Sequence, residues 1–273
     1  MYPFVDIFGR TIGTYGIMVG IGIIVTGIVF LLILRKKEVY LEDVAMTGLF
    51  FAAGAVIGSH IVYGLTNTTK IIDLFRHVSE YSFIEFMKLL FGSYLGGMVF
   101  YGGLIGGLIA LLIANKVSQK YFRGDVMFDG VAIVIPLFHT FGRIGCFLGG
   151  CCFGVECKFG ITIHNNTLYP AINDVNRLPI QLIEAGCNFI LFWVLLFLYK
   201  KNKFQKRLLI VYLFAYPVIR FIDEFFRGDD IRGFLFGLST SQIISILLFT
   251  FATVFTIIDL KKRKDTPVKT EQA

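Results

Sequence analysis

VAIVIPLFHTFGRIGCFLGG, residues 131–150, is a run of 20 residues whose only permanently charged side chain is Arg143. A helix of about 20 apolar residues is long enough to cross the hydrocarbon layer of a bilayer. A guanidinium cannot be neutralised in a protein, and at the bilayer centre it costs roughly 2.5–3.5 kcal/mol. A second arginine, Arg220, lies in another apolar run, residues 208–226. A chain keeps such cations there only for a partner or a task, and the anionic headgroup of a phospholipid is one such partner.

The composition indicates an integral membrane protein. Of 273 residues, 56% are hydrophobic and 16% are charged, and the mean hydropathy is +0.73; soluble domains carry about 25% charged residues. In a soluble chain the net charge of +7 would favour nucleic acid as a partner. Here the basic residues cluster in short segments between apolar runs, a pattern typical of membrane topology and anionic lipid contact. We therefore predict no nucleic-acid partner.

Seven apolar runs predict an all-α fold of about seven transmembrane helices. The first run follows no basic segment and precedes no small-residue cleavage site, so we expect it to be a retained span. Helices satisfy the backbone within lipid, and the alternating pattern of barrel strands is absent. The predicted spans are residues 12–34, 44–65, 89–114, 130–150, 180–199, 208–226 and 234–258.

The distribution of lysine and arginine between the runs predicts the orientation, since basic loops stay cytoplasmic. One side carries 16 basic residues: Arg35, Lys36, Lys37, Lys116, Lys120, Arg123, Lys200, Lys201, Lys203, Lys206, Arg207, Lys261, Lys262, Arg263, Lys264 and Lys269. The other side carries eight: Arg10, Lys70, Arg76, Lys88, Lys158, Arg177, Arg227 and Arg232. The N-terminus is therefore expected outside and the C-terminus in the cytoplasm.

Residues 1–260 are expected to form a single polytopic membrane domain. Within it, residues 66–88 place apolar side chains at helical spacing, which predicts an amphipathic segment on the outer interface, with a poorly packed loop as the alternative. Residues 155–178 are expected to be an outer loop. Residues 261–273 are expected to be a disordered cytoplasmic tail.

In this orientation four polar side chains converge on the outward half of the membrane: Arg143, Arg220, Tyr15 and Tyr101. Arg220 and Glu224 stand one helical turn apart, where an ion pair forms readily. His139 lies one turn before Arg143, and a polar contact within the bundle is favoured for it over proton transfer.

Glycine is concentrated in two places. Residues 142–154 contain five glycines, which let the backbone approach a ligand or break a helix where it lines a cavity. Residues 102–107 contain overlapping small-xxx-small spacings, and Gly16 with Gly20 and Gly54 with Gly58 repeat the pattern. For these spacings we predict close helix packing.

The chain has five cysteines, and four of them lie close together at residues 146, 151, 152 and 157. Buried small apolar residues, an outer disulfide, a metal site and thiols that themselves accept lipid are all compatible with this pattern. The adjacent Cys151-Cys152 pair and the lack of a C-x-x-C spacing argue against ordinary zinc geometry, so no metal site is predicted. Cys187 is expected in the core of its span.

Five motifs in order along the chain resemble those of the bacterial prolipoprotein diacylglyceryl transferases. They are Tyr15-Gly16, Gly102-Gly103-Leu104-Ile105-Gly106, Gly142-Arg143-Ile144-Gly145 with Phe147 and Gly154, Pro179-x-Gln181-Leu182-x-Glu184, and Arg220-Phe221 with Glu224-Phe225-Phe226-Arg227. The resemblance implies a seven-helix enzyme of the bacterial plasma membrane with its active site toward the outer leaflet. Such an enzyme transfers a diacylglyceryl group from phosphatidylglycerol, or a similar anionic phospholipid, to the lipobox cysteine in the signal peptide of a preprolipoprotein. No cofactor is implied.

The resemblance places the family's two essential arginines at Arg143 and Arg220 and a glutamate at Glu224. With Tyr101, which stands where the family usually has histidine, these are the predicted catalytic residues. The predicted substrate-binding residues are the two arginines, Tyr15, Gly102, Gly103, Cys146, Gly154, Gln181 and Glu184. Cys146 and Cys151 stand where the family usually has Asn and Glu, so a divergent transferase with another acceptor remains an alternative. A membrane transport protein is a further one.

Overall fold

The computed structural model describes residues 3–35, 40–117, 124–229, 234–235 and 237–265. The chain is mostly helical, and its contacts divide it into two compact units. The first unit comprises Met1–Ile33 and Asp129–Ala273, and the second comprises Leu34–Phe128. The α-helices are α1 (Thr14–Leu34), α2 (Leu41–Thr66), α3 (Thr68–Arg76), α4 (Phe83–Met87), α5 (Phe100–Val117), α6 (Gly124–Gly149), α7 (Ile180–Lys200), α8 (Leu208–Asp223) and α9 (Thr240–Asp265).

Three short antiparallel hairpins accompany the helices. They pair β1 (Phe4–Ile7) with β2 (Arg10–Gly13), β3 (Glu156–Thr162) with β4 (Asn176–Arg177), and β5 (Phe234–Leu235) with β6 (Leu238–Ser239). The register aligns Phe4 with Gly13, Thr162 with Asn176, and Phe234 with Ser239. The second hairpin belongs to the connection between α6 and α7, the loop predicted at residues 155–178.

In the first unit, direct contacts join α1, α6 and α7. A Cβ atom built on Gly22 of α1 would lie 3.0 Å from Phe141 Cβ of α6, so the two helices approach closely at this glycine. The Thr140 hydroxyl donates to the carbonyl oxygen of Ala185 on α7 at 3.3 Å. The Tyr199 hydroxyl of α7 donates to the Ile33 carbonyl oxygen at 3.3 Å. These contacts fix α6 between two neighbouring helices.

The start of α8 is held by a carboxylate from α6. Asp129 accepts hydrogen bonds from the backbone N–H of Lys206 at 2.6 Å and of Leu208 at 3.0 Å. These bonds satisfy donors that a helix N-terminus leaves without intrahelical partners. Farther along α8, the rings of Phe214 and Phe249 pack edge to face at 5.2 Å, which joins α8 to α9.

In the second unit, α2 and α5 pack backbone to backbone at glycines. A Cβ atom on Gly106 would lie 2.9 Å from the Gly58 Cα and would clash with the Gly54 carbonyl oxygen. Gly102 likewise faces the Gly58 carbonyl oxygen. The predicted packing role of these glycines is therefore confirmed. The same prediction is wrong for Gly20, and for Gly16 one helical turn before it, because a Cβ atom on either meets no described atom within 4 Å.

Five helices in the described part of the chain are long and apolar enough to cross a membrane: α1, α2, α6, α7 and α9. Helix α5 is apolar but shorter, and α8 has 16 residues. Large apolar side chains on the outer faces of several of these helices are exposed, including Ile24 at 64%, Ile190 at 64% and Leu247 at 62%. Lipid is the solvent that suits such faces, so the chain is a multi-pass membrane protein.

Two span boundaries differ from the prediction. The third predicted span began at residue 89, but residues 88–94 form a π-helix and α5 begins only at Phe100. Gly97, between them, packs against the ring of Tyr63, and His60 Nδ1 lies 2.8 Å from the Leu95 carbonyl oxygen. The last span was predicted from residue 234, where the structure has the β5–β6 hairpin with Gly237 at φ +77°.

The end of the chain differs from the prediction, whereas residues 66–88 have the helical structure that their spacing indicates. Helix α9 continues to Asp265, so residues 261–265 are helical rather than disordered, and residues 266–273 lie outside the described residues. Residues 66–88 contain α3, a short 3₁₀ helix and α4, which begins with a capping box between Ser82 and Glu85. Lys36, Lys37, Lys120, Arg123, Arg232 and Lys269, which contributed to the charge count, also lie outside the described residues.

Candidate active site

One carboxylate joins the two arginines that the apolar runs contain. Glu184 of α7 places Oε2 2.5 Å from Arg143 Nη2 of α6 and 3.9 Å from Arg220 Nη1 of α8. All three residues are buried, with exposed fractions of 7% for each arginine and 1% for Glu184. The prediction named all three residues, and the structure brings them together from three separate helices.

A second carboxylate binds Arg220 from the other side. The Glu224 Oε2 lies 2.6 Å from Arg220 Nη2, which is the pair one helical turn apart that the sequence indicated. The same nitrogen donates to the Ser241 hydroxyl at the start of α9, at 3.0 Å. Ser241 was not predicted, because nothing in its local sequence distinguishes it from other serines near a helix start. We call Arg143, Glu184, Arg220 and Glu224 the charged cluster.

The charged cluster balances two guanidiniums with two carboxylates, but not all of its donors have acceptors. Burying four charges carries a desolvation penalty of several kcal/mol per ion that pairing must offset. Among the described residues, Arg143 Nε and Arg220 Nη1 make no hydrogen bond. A buried donor without an acceptor is unfavourable by about 1–3 kcal/mol. An anion with several acceptor oxygens, such as a phosphate, would satisfy both.

His139 and an aromatic pair border the charged cluster. His139 Nε2 lies 3.5 Å from Glu184 Oε1, and its ring centroid is 5.2 Å from that of Tyr216. Tyr216 in turn stacks on Tyr212 at 5.5 Å. The polar contact predicted for His139 is confirmed, whereas the two tyrosines were not predicted. Both stand on α8 at a helical spacing that also fits ordinary core packing.

Tyr15 lies against α6 close to Arg143. A Cβ atom on Gly145 would lie 3.1 Å from Tyr15 Cδ2 and 3.2 Å from Met18 Cβ, so this glycine allows α1 to approach α6. Tyr15 is 44% exposed. Tyr15, one of the four residues expected to converge, therefore lies beside the segment of α6 that carries Arg143.

Three thiols meet at the C-terminal end of α6. The Sγ atoms of Cys146, Cys151 and Cys152 all lie within 4.8 Å of one another, and we call these residues the thiol cluster. Helix α6 ends at Gly149, and Gly150 at φ +80° reverses the chain, as a glycine after a helix end commonly does. Arg143 Nη1 lies 3.9 Å from Cys146 Sγ. The thiol cluster is thus next to the charged cluster.

Gln181 fixes the segment that carries these thiols. Its side-chain amide donates to the Cys151 carbonyl oxygen at 2.8 Å, and the residue is 1% exposed. Asn166 donates to the Gly149 carbonyl oxygen at 3.3 Å. Gln181 was predicted to bind substrate, and the structure places it as a support for the loop beside Arg143.

The pKa values of the two thiols beyond the end of α6 are shifted in opposite directions. Side-chain hydrogen bonds with Cys146 and Cys152 raise the pKa of Cys151, and burial adds to this effect. Hydrogen bonds from the other two thiols lower the pKa of Cys152, and the guanidiniums of Arg227 and Arg143 also favour its thiolate. Burial alone would lower the pKa of Arg227, but its hydrogen bonds to Asp229 raise it.

Gly154 occupies a crowded backbone position. A Cβ atom there would clash with the Leu178 carbonyl oxygen, and the residue forms a β-bridge with Arg227. The Arg177 guanidinium also donates to the Gly154 carbonyl oxygen at 3.4 Å. Close packing is therefore sufficient to require glycine at this predicted substrate-binding position.

The remaining predicted site residues, Tyr101, Gly102 and Gly103, belong to the second unit. They stand in the first turn of α5, where Tyr101 is 3% exposed and packs near Phe100. A Cβ atom on Gly103 would lie 3.4 Å from the Ala55 carbonyl oxygen of α2. In the structure these two glycines lie in the contact between α5 and α2.

All five cysteines are among the described residues, and none forms a disulfide. Cys157 follows in β3, and Cys187 lies in α7, where it is partly exposed rather than in the core as expected.

Comparison with known proteins gives one family. The sequence profile described as prolipoprotein diacylglyceryl transferase matches residues 3–258, a range that includes the charged cluster. The chain is similar to proteins named phosphatidylglycerol–prolipoprotein diacylglyceryl transferase. That of Clostridium tetani is 34% identical over 88% of this chain and 90% of the relative. That of Campylobacter jejuni strain RM1221 is 32% identical over 94% of this chain and 93% of the relative. Transferase 2 of Clostridium perfringens is 30% identical over 97% of this chain and 98% of the relative.

Proposed function

Because the chain belongs to the prolipoprotein diacylglyceryl transferase family, we propose that it transfers a diacylglyceryl group from phosphatidylglycerol to the lipobox cysteine of a preprolipoprotein. The observation that carries this proposal is the pair of buried guanidiniums, Arg143 and Arg220, that share Glu184 and keep hydrogen-bond donors without acceptors. A phosphodiester headgroup supplies the acceptor oxygens that these donors lack.

The first step is binding of the headgroup phosphate. A guanidinium fork binds phosphate oxygens in pairs, and such bonds are stronger where water is excluded. Arg143 and Arg220 approach the same Glu184 oxygen from different helices, so a phosphate bound there contacts both. Glu184 and Glu224 act through the arginines and are positioning residues.

The second step is displacement at a glycerol carbon. The acceptor thiolate attacks the carbon and forms a carbon–sulfur bond, while the carbon–oxygen bond to phosphate breaks. The electron pair of that bond leaves with glycerol phosphate. Both arginines stabilise the charge on the leaving phosphate, which is where a fixed cation contributes most to the rate. No cofactor enters this scheme.

The other predicted residues act around this step. Tyr101 hydrogen-bonds the headgroup or relays the thiol proton. Tyr15 contacts the lipid beside Gly145, and Gln181 and Cys146 shape the pocket next to Arg143. Because Gly102, Gly103 and Gly154 have no side chain, the backbone at these positions can approach the substrate closely.

We further propose seven spans in one polytopic domain of the bacterial plasma membrane. Helices α5 and α8 join the five longer helices as spans, the N-terminus is outside, and the C-terminus is cytoplasmic. The active site then opens toward the outer leaflet, where it receives the signal peptide of the preprolipoprotein. Residues 66–88 lie on the outer surface and residues 155–178 form an outer loop. The charge distribution supports this orientation.

The test combines labelled phosphatidylglycerol and a lipobox peptide with the purified protein and detects thioether lipid by mass spectrometry. The wild type is expected to lipidate the peptide. Arg143→Lys and Arg220→Lys keep the charge but lose the fork, so each should lower the rate by about 100-fold or more. Arg207→Lys is the matched control, because Arg207 pairs with Asp259 outside the charged cluster.

Three outcomes would contradict parts of the proposal. Full activity in both lysine variants would exclude phosphate binding by the arginines. Label on the protein's own cysteines in place of the peptide would indicate another acceptor. Absence of thioether lipid on any thiol would exclude the transferase function itself.

A further inference from the structure

The thiol cluster is a preformed group of three soft donors. A tetrahedral or trigonal ion with metal–sulfur bonds of about 2.3 Å needs sulfur atoms separated by about 4 Å. In the structure the three Sγ atoms are already within 4.8 Å of one another, so small side-chain rotations are enough to reach this spacing. Cys146 is buried, and the other two thiols are partly exposed, which leaves an entry path.

The backbone holds the thiol cluster in an unfavourable conformation. Cys152 has φ +56°, in the left-handed region that residues other than glycine seldom occupy. Such a conformation is unfavourable and persists where the surroundings impose it, commonly at functional sites. Here the hydrogen bond from Gln181 to the Cys151 carbonyl oxygen, at 2.8 Å, fixes the loop. The three donors are therefore positioned by the fold and not by contact with one another alone.

Charge favours a divalent ion in this place. Three thiolates and one divalent cation carry a net charge of −1. The Arg143 guanidinium, whose Nη1 lies 3.9 Å from Cys146 Sγ, offsets that charge. Sulfur donors select borderline and soft ions such as Zn²⁺ and Cd²⁺ over Mg²⁺ and Ca²⁺, which prefer oxygen ligands.

We propose that Cys146, Cys151 and Cys152 form a three-thiolate binding site for a thiophilic divalent cation of the Zn²⁺ type. No fourth Cys, His, Asp or Glu ligand joins the group among the described residues, so one coordination position stays open. The site shares no ligand with the charged cluster, which lies next to it, and its existence does not depend on the proposed transferase function.

The test uses Cd²⁺ as a spectroscopic substitute for Zn²⁺. Full-length protein is purified in detergent under reducing, anaerobic conditions and titrated with CdCl₂ while the thiolate-to-cadmium charge-transfer absorbance is recorded. The expected result is one tightly bound Cd²⁺ per chain, and Cd²⁺ should also displace Zn²⁺ that was bound beforehand, because thiolate ligands prefer the softer ion. Cys146→Ser, Cys151→Ser and Cys152→Ser should each weaken binding by at least about 10-fold, a loss that is usual even for residues that only support the ligands of a metal. Cys157→Ser and Cys187→Ser are the matched controls and should bind like the wild type.

A second measurement on the unmodified protein avoids any dependence on the folding of the variants. X-ray absorption at the cadmium edge should count three sulfur neighbours per ion. Fewer than three sulfur atoms, absence of saturable binding, or an equal loss of binding in Cys157→Ser would each overturn the proposal. A disulfide or thioether lipid on these cysteines in the reduced, purified protein would also overturn it.

Discussion

Glu184 is the residue on which the geometry of the charged cluster depends. Its carboxylate contacts both arginines and His139, and it is almost completely buried. Without it, two guanidiniums would face each other with Glu224 as the remaining carboxylate of the cluster. Removing one partner of a buried ion pair commonly costs about 3–5 kcal/mol, because the other charge stays buried without compensation.

We expect Glu184→Gln to lower the thermal unfolding temperature of the detergent-solubilised protein and to destabilise it by about 3–5 kcal/mol. Glu156→Gln is the matched control, because Glu156 pairs with Arg177 but keeps 67% of its side chain exposed. That control should change stability by at most about 1 kcal/mol. Equal unfolding temperatures for the two variants would show that Glu184 is not the shared counter-ion.

Only part of this cluster was predictable from single residues. Arg143 and Arg220 were identifiable because a permanent cation in an apolar run requires a reason. Glu184 entered the prediction only through a family motif, since its contacts come from two other helices. Pairing between distant helices depends on tertiary packing, which hydropathy and local spacing do not encode. Ser241 was missed for the same reason.

Among the helices, the same glycine spacing occurs both where two helices are in contact and where they are not. Gly106 brings α5 onto the backbone of α2, whereas a Cβ atom placed on Gly20 of α1 would meet no described atom within 4 Å. The two glycines are therefore a natural pair for comparison, because the same substitution has opposite expected effects.

Gly106→Ala should destabilise the protein by about 1–3 kcal/mol, the usual cost of overpacking, because the new methyl group would lie 2.9 Å from Gly58 Cα. Gly20→Ala should be neutral or stabilise by up to about 1 kcal/mol, since alanine is the better helix former. Thermal unfolding of both variants provides the measurement. A loss of stability in Gly20→Ala that equals the loss in Gly106→Ala would contradict the described packing.

The positions of the long helices were largely predictable, and the errors have a physical cause. Residues 89–94 and 234–239 are rich in apolar side chains, so a hydropathy window includes them in the neighbouring span. The π-helix and the hairpin arise instead from local backbone geometry, with Gly97 packed on Tyr63 and Gly237 at positive φ. Composition does not distinguish these turns from a continuing helix.

For the whole molecule, the proposed orientation follows from the unequal distribution of charge. The stretch from Lys200, the last residue of α7, to Arg207, which precedes α8, contains five basic residues and no acidic residue. The segment between α6 and α7 is longer, with two basic residues, Lys158 and Arg177. The positive-inside rule places the first segment in the cytoplasm and the second outside.

An epitope inserted after Asn165 should therefore bind antibody in intact spheroplasts. The same epitope inserted after Lys203 should bind only after the membrane is permeabilised. Asn165 and Lys203 are both exposed, so an epitope that follows either residue is accessible from its own side of the membrane. The reverse pattern of accessibility would invert the proposed orientation and place the charged cluster nearer the cytoplasmic leaflet.

The most direct measurement of the central proposal is the contact between arginine nitrogen and lipid phosphorus. With phosphatidylglycerol bound and no acceptor peptide present, solid-state NMR distance measurements between ¹⁵N-labelled arginine and ³¹P should detect close guanidinium–phosphate contacts. We expect Arg143→Lys and Arg220→Lys each to remove part of that signal, and Arg207→Lys to leave it unchanged. An undiminished signal in both site variants, or no contact in the wild type, would contradict phosphate binding by the paired guanidiniums.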